Sequence, residues 1–295
     1  MASQRNTSAK DPLAPFSAPV RKWFEASFDA PTPAQAGGWP AISSGANTLI
    51  CAPTGSGKTL AAFLSGIDRL SREAELGGGT RIVYVSPLKA LSYDIERNLR
   101  APLAGIGAEI SVGLRTGDTP QKERQAMRRN PPDILITTPE SLYLILSSGA
   151  REMQGQVEAV IVDEIHAVAQ SKRGSHLALT LERLENLARR EDDAATLQRI
   201  GLSATQRPLD RIASFLVGPN RTCEVVDAGR SKELDLQIQV PVEDMTEPGA
   251  SAPAAGGVES GDRPEEQLHR RDGGTDSATG PAAHERIDPG PIEAS

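Results

Sequence analysis

Eight residues, Ala52-Pro53-Thr54-Gly55-Ser56-Gly57-Lys58-Thr59, carry the sharpest chemical signal in the chain. Gly55 and Gly57 let the backbone N–H groups from Thr54 through Ser56 to Lys58 curl around phosphate oxygens. Lys58 would neutralise β- and γ-phosphates, Thr59 would hold Mg2+, and a helix starting there adds the field of its N-terminus. The usual first glycine of such loops is replaced here by Ala52. A second signal follows about a hundred residues later, in Ala159-Val160-Ile161-Val162-Asp163-Glu164-Ile165-His166. Asp163, at the end of an apolar run, would hold Mg2+ through water, and Glu164 would orient and deprotonate an attacking water. An acid pair after a strand is more often a solvated turn. Beside the phosphate loop it reads as a site.

These residues need a scaffold, and the hydrophobic pattern supplies one. Short aliphatic runs occur at 48–51, 81–86, 109–112, 133–137, 157–163, 198–202 and 222–226, each flanked by Gly, Pro or Asp. Helical patterns fill 58–73, 88–100, 119–129, 139–147, 174–190 and 207–217. A further helix is expected from about Val20 to Phe28, and Thr32-Pro33 is a helix start, a capping hydroxyl before a proline. Strands buried on both faces and separated by helices imply an α/β fold with a mostly parallel sheet. The phosphate loop then falls between a strand and a helix, as its chemistry requires.

Composition limits the alternatives. The chain has 295 residues and a net charge of −7, which at first argues against a nucleic-acid partner. Residues 247–295, however, hold ten acids and four bases, so residues 1–246 are nearly neutral. That segment has eight Gly, six Pro, no aromatic residue and four large aliphatics, and is expected to be disordered, with a small extra subdomain as the alternative. Residues 1–12 are polar and are also expected to be disordered. Two cysteines, Cys51 and Cys223, form no disulfide framework, and no run of about 18 apolar residues could span a membrane. A cytoplasmic location without membrane contact is expected.

Around the two signals lie further segments that resemble the ordered motifs of superfamily 2 helicases. Asp163-Glu164-Ile165-His166 resembles a DEAH-type motif II and Ser203-Ala204-Thr205 a motif III. Gln35 in Pro31-Thr32-Pro33-Ala34-Gln35 resembles a Q motif, and Ser86-Pro87-Leu88-Lys89-Ala90-Leu91 a motif Ia. Arg115-Thr116-Gly117-Asp118 is similar to motif Ib, and Thr137-Thr138-Pro139-Glu140-Ser141-Leu142 to motif Ic. The wording is nearest to large helicase-related (Lhr-type) ATP-dependent helicases, over about residues 11–246.

The resemblance implies a RecA-like first motor domain over residues 13–226, with ATP and Mg2+ as cofactors. Gln35 would read the adenine edge, and Phe28 is a candidate for apolar contact with the base, with plain packing as the alternative. His166, Ser203, Ala204 and Thr205 would link the nucleotide site to a nucleic-acid face. On that face Pro87, Lys89, Arg115, Thr116, Gly117, Thr138, Pro139 and Glu140 would meet the phosphates of one strand. Lys172-Arg173 would either add to that face or form a solvated corner. A metal site from His166 and His176 is not expected, for want of a third ligand.

By the same resemblance, the partner is single-stranded or tailed DNA, with an RNA/DNA hybrid as a further candidate. The family's activity is 3′-to-5′ translocation, in DNA repair. Residues 227–246 resemble a connector toward a second RecA-like domain, so the chain reads as a fragment of a longer protein. A binding module that keeps the fold without catalysis is one rival reading. A transporter ATPase is another, disfavoured by motifs Ia, Ib and Ic.

Overall fold

Thr32 starts a helix as its sequence predicts. Its hydroxyl accepts the Gln35 N–H, and the Gln35 side chain accepts the Thr32 N–H in return, a reciprocal cap on helix α2 (Pro33–Ser43). α1 (Ala18–Ser27) precedes it. The computed structural model describes residues 11–73, 76, 78–191, 196–204 and 207–229. Residues 1–10, Thr205, the tail at 247–295 and the connector from residue 230 onward lie outside the described residues.

Strands and helices then alternate: β1 (Thr48–Cys51), α3 (Lys58–Leu70), β2 (Ile82–Val85), α4 (Lys89–Ile106), β3 (Val112–Arg115), α5 (Gln121–Arg129), β4 (Ile134–Thr137) and α6 (Pro139–Leu146). A 3-10 turn (Gly149–Gln154) leads into β5 (Ala159–Val162), α7 (Ile165–Ala169), α8 (Lys172–Glu191), β6 (Gln198–Ser203), α9 (Leu209–Val217) and β7 (Glu224–Asp227). The strands form one seven-stranded sheet in the order β3-β4-β2-β5-β6-β1-β7, with every pairing parallel.

Both faces of the sheet are covered over the five inner strands β4, β2, β5, β6 and β1, which is why these read as continuous apolar runs. The edge strands β3 and β7 are partly exposed. Ile50, Ile82, Tyr84, Ile136 and Ile161 pack with α3 and α4 on one face. Leu49, Val83, Val85, Val160 and Val162 pack with α6, α8 and α9 on the other. Gly38 lets α2 lie close to β1, since a Cβ there would meet the Ile50 side chain at 2.7 Å. Phe16 and Phe24 stand perpendicular to Trp39, with 5.0 and 5.2 Å between ring centroids, and help fix α1 and α2 against α3.

One strand differs from expectation. The run at 109–112 leads into the strand, and β3 itself is Val112–Arg115, at the edge of the sheet. Its Gly113 is required because a Cβ would meet the Pro132 ring at 2.7 Å. An edge strand containing Gly and Arg has too little apolar character to be recognised. Helix α7 and the 3-10 turn, at five and six residues, are too short for a helical period to be visible.

Candidate nucleotide site and strand-binding face

Apart from the Q motif at the start of α2 and Phe28 at the end of α1, the segments singled out in the sequence leave the carboxyl ends of parallel strands, where ligands of open α/β sheets bind. The phosphate loop follows β1, motif II follows β5 and motif III follows β6, which lies between them. Motifs Ia, Ib and Ic follow β2, β3 and β4 on the other half of the sheet. Sheet order alone therefore separates a nucleotide half from a second half and puts Asp163 at the boundary, beside β2.

Gly55 and Gly57 adopt φ of +79° and +76°, left-handed conformations that open the loop. A Cβ at Gly55 would meet nothing within 4 Å, whereas one at Gly57 would meet Gln35 Nε2 at 2.6 Å. The first turn of α3 begins at Lys58, whose ammonium donates to the carbonyls of Ala52 at 2.6 Å and Pro53 at 2.8 Å. Burial holds the Lys58 pKa below the ordinary lysine value, against the opposing pull of Glu164 and Asp163. Thr32 Oγ1 donates to the Ser56 carbonyl at 2.8 Å, and Gln35 Nε2 lies 3.5 Å from the Gly57 carbonyl. The Q-motif glutamine is buried, and its amide is turned onto the cap and the loop. Ser56 Oγ is buried and has no protein partner. Phe28 is 43% exposed and packs on Phe24 and Trp23 at the end of α1.

Asp163 is buried at the end of β5. Its Oδ1 accepts the Glu164 N–H at 2.8 Å, and its Oδ2 accepts the Tyr84 hydroxyl. Glu164 follows with φ 44° and ψ 40°, a left-handed conformation that is uncommon outside glycine. This kink caps α7 and turns the Glu164 carboxylate to within 3.3 Å of His166 Nε2. His166 Nδ1 accepts the Ala204 N–H at 3.2 Å and lies 3.4 Å from the hydroxyl of the buried Ser203. Motif II and motif III are thus in direct contact through one imidazole. Among the described residues no cluster of three His, Cys, Asp or Glu could hold a metal. A site made from the Thr59 hydroxyl and the Asp163 carboxylate has another make-up, a hard-oxygen set completed by phosphate and water that suits Mg2+.

Across the sheet, Lys89 opens α4 and pairs with Asp118 at 2.8 and 2.9 Å. Arg124 grips the Ib turn through the carbonyls of Gly117 at 2.7 Å and Thr119 at 2.7 Å. The Thr116 hydroxyl accepts the Asp118 N–H, and the Thr138 hydroxyl caps α6 by accepting from Ser141. Both hydroxyls are turned inward, where they hold their loops. Arg115 ends β3 with Nη1 buried and unpartnered, and burial followed by the neighbouring Arg124 lowers its pKa.

Arg173 joins two motifs. Its Nε donates to Glu140 at 2.7 Å and its Nη2 to the Pro87 carbonyl at 3.1 Å. Burial opposes the charge on Glu140, but the Arg173 hydrogen bond and supporting donors hold its pKa below the usual carboxylate value. Pro139 occupies the first turn of α6, next to Glu140. Sequence reasoning left two residues of this constellation without a firm role, Arg173 and Tyr84.

A glycine loop between strand and helix, carboxylates two strands away and a seven-stranded parallel sheet define a RecA-like P-loop domain. The model of the DEAD/DEAH box helicase family matches residues 32–212. The chain is 57% identical over 250 residues to the Lhr helicase/probable uracil glycosylase of Mycolicibacterium smegmatis, covering 81% of this chain and 16% of that protein. It is 46% identical to the ATP-dependent helicase Lhr-Core of Methanocaldococcus jannaschii, covering 77% of this chain and 28% of that one. Among solved structures it is similar to Mycobacterium smegmatis helicase Lhr bound to ssDNA and AMP-PNP. That likeness has a TM-score of 0.72 and 55% identity, and covers 80% of this chain and 31% of the other. The chain belongs to the DEAD/DEAH box helicase family, among its Lhr-type members.

Proposed function

We propose that this chain is the ATP-binding motor domain of an Lhr-type helicase that in full length moves 3′-to-5′ along single-stranded DNA. The observation that carries the reading is the His166 contact, which ties the Glu164 carboxylate to the end of β6, between the phosphate loop and the strand-binding motifs. In this reading Lys58 leaves the Ala52 and Pro53 carbonyls for the nucleotide phosphates, with Thr54 to Gly57 around them. Thr59 and Asp163 would hold Mg2+, which when bound withdraws charge from the phosphate oxygens. Glu164 orients a water in line with the γ-phosphate and takes its proton, and His166 Nε2–H steadies the carboxylate. Gln35 and Phe28 face the base, although the Gln35 amide must also serve the loop. The backbone N–H groups of the loops at Lys89, Arg115 to Gly117 and Thr138 to Glu140, with the Lys89 and Arg115 side chains, hold one strand by its phosphates without reading sequence. The inward Thr116 and Thr138 hydroxyls, the Pro87 carbonyl and the Glu140 carboxylate keep those loops in shape.

We assign the arginine finger to a second RecA-like domain of the full-length protein, reached through the connector at 227–246. Such a finger is worth roughly 10³–10⁵ in rate. The purified 295-residue chain is therefore expected to bind ATP with Mg2+ and a labelled single strand weakly, to hydrolyse ATP very slowly and not to unwind. A robust DNA-stimulated ATPase from this chain overturns the division of labour. Failure to bind nucleotide overturns the reading as a whole.

A further inference from the structure

Tyr84 is the third residue of β2 and fully buried. Its partners in register, Ile136 on β4 and Ile161 on β5, are apolar, and the same face carries Ile82, Ile134 and Ile200. A phenol in this row is not needed for packing, and a buried hydroxyl must find a partner. It finds Asp163 Oδ2. The ring also stacks on Phe63 of α3, at 5.1 Å between centroids and 24° between planes. Phe63 lies one helical turn beyond Thr59. One buried side chain thus touches the helix that carries one proposed Mg2+ ligand and the carboxylate that is the other.

We propose that Tyr84 is a positioning residue for divalent-cation binding: its phenol fixes the rotation of the Asp163 carboxylate. The inference rests on the reading of Asp163 as a Mg2+ ligand. With Oδ1 held by the Glu164 N–H and Oδ2 by the phenol, the carboxylate cannot rotate without losing a bond, and each oxygen keeps a lone pair for the metal's water shell. Partners of this kind orient ligating groups, and their loss typically costs about 10–100-fold in metal affinity. Both assigned motifs omit this position because it lies inside a strand, where an aromatic residue reads as core.

The test is the Mg2+ dependence of binding of a fluorescent ATP analogue to the 295-residue chain. Tyr84→Phe keeps the ring on Phe63 and removes only the hydroxyl. It is expected to raise the Mg2+ concentration for half-maximal binding by about 10-fold or more, with binding in EDTA unchanged. Phe63→Leu keeps the phenol, and a much smaller shift is expected. Asp163→Asn should abolish the Mg2+ dependence. If Asp163→Asn leaves that dependence intact, the metal reading of Asp163 falls. If Asp163→Asn abolishes it and Tyr84→Phe leaves the midpoint in place, or Phe63→Leu shifts it equally, the role of the phenol is overturned while the metal reading stands.

Discussion

His166 Nδ1 receives the backbone N–H of Ala204 at 3.2 Å. Since that nitrogen accepts, the neutral imidazole carries its proton on Nε2, which faces Glu164 Oε2 at 3.3 Å. In the proposed function this contact is the route by which the end of β6 and the Glu164 carboxylate act on each other.

His166→Ala removes that link and leaves the phosphate loop and the strand-binding loops in place. Each ligand alone is expected to bind nearly as in the wild type. AMP-PNP, however, should no longer change the affinity for single-stranded DNA, an effect of about 5-fold or more when sites are coupled. Fluorescence anisotropy of a labelled strand with and without nucleotide measures it. Retained coupling in the variant contradicts the relay.

Gly57→Ala is expected to be far more harmful than Gly55→Ala, although both residues have positive φ. The left-handed backbone costs each alanine roughly 1–2 kcal/mol. Only at residue 57 does the new Cβ also strike Gln35 Nε2, at 2.6 Å, and approach Thr32 Oγ1, at 3.4 Å. Nucleotide titrations should show near-complete loss for Gly57→Ala and partial loss for Gly55→Ala. The reverse order would mean that contact with the Q motif does not shape the loop.

How much of this was legible in sequence depends on how local each cause is. The phosphate loop, the Thr32 cap and the end of β5 are dictated by neighbouring residues, and β1 falls at 48–51 as its apolar run implies. The outer strand β3 was displaced by three residues because its Gly113 answers to Pro132, and no pattern in the strand itself shows that contact. For the same reason Tyr84 carries no signal in the sequence, and Lys172-Arg173 leaves two readings open there. Arg173 meets Pro87 across 86 residues and Tyr84 meets Asp163 across 79. Thr116 and Thr138 fit their motifs, but the inward turn of their hydroxyls depends on Asp118 and Ser141.

Arg173→Ala should weaken single-stranded DNA binding several-fold without affecting nucleotide binding. It frees Glu140 and the Pro87 carbonyl, so the Ia and Ic loops lose their common anchor. Its pair with Glu140 is half exposed, so the melting temperature should hardly change, as for surface pairs worth about 0–1 kcal/mol. An unchanged DNA affinity would remove Arg173 from the interface.

Cys51 gives a pH signature. Burial, then the charge of Asp227, pushes its thiol up from 9.0 to about 11. The unfolded thiol ionises first on the alkaline side, so the contribution is fully present below pH 9.0 and is lost as pH rises toward about 11. The melting temperature of the wild type should fall more steeply than that of Cys51→Ala across this window. Parallel slopes would show that burial of this thiol does not contribute.

The central claim is that the loop from Ala52 to Thr59 binds the phosphates of ATP through Lys58. Isothermal titration of ATP with Mg2+ into the 295-residue chain and into Lys58→Ala tests it directly. Measurable binding to the wild type and none to the variant is the expected result. Equal affinity in the two proteins would contradict it.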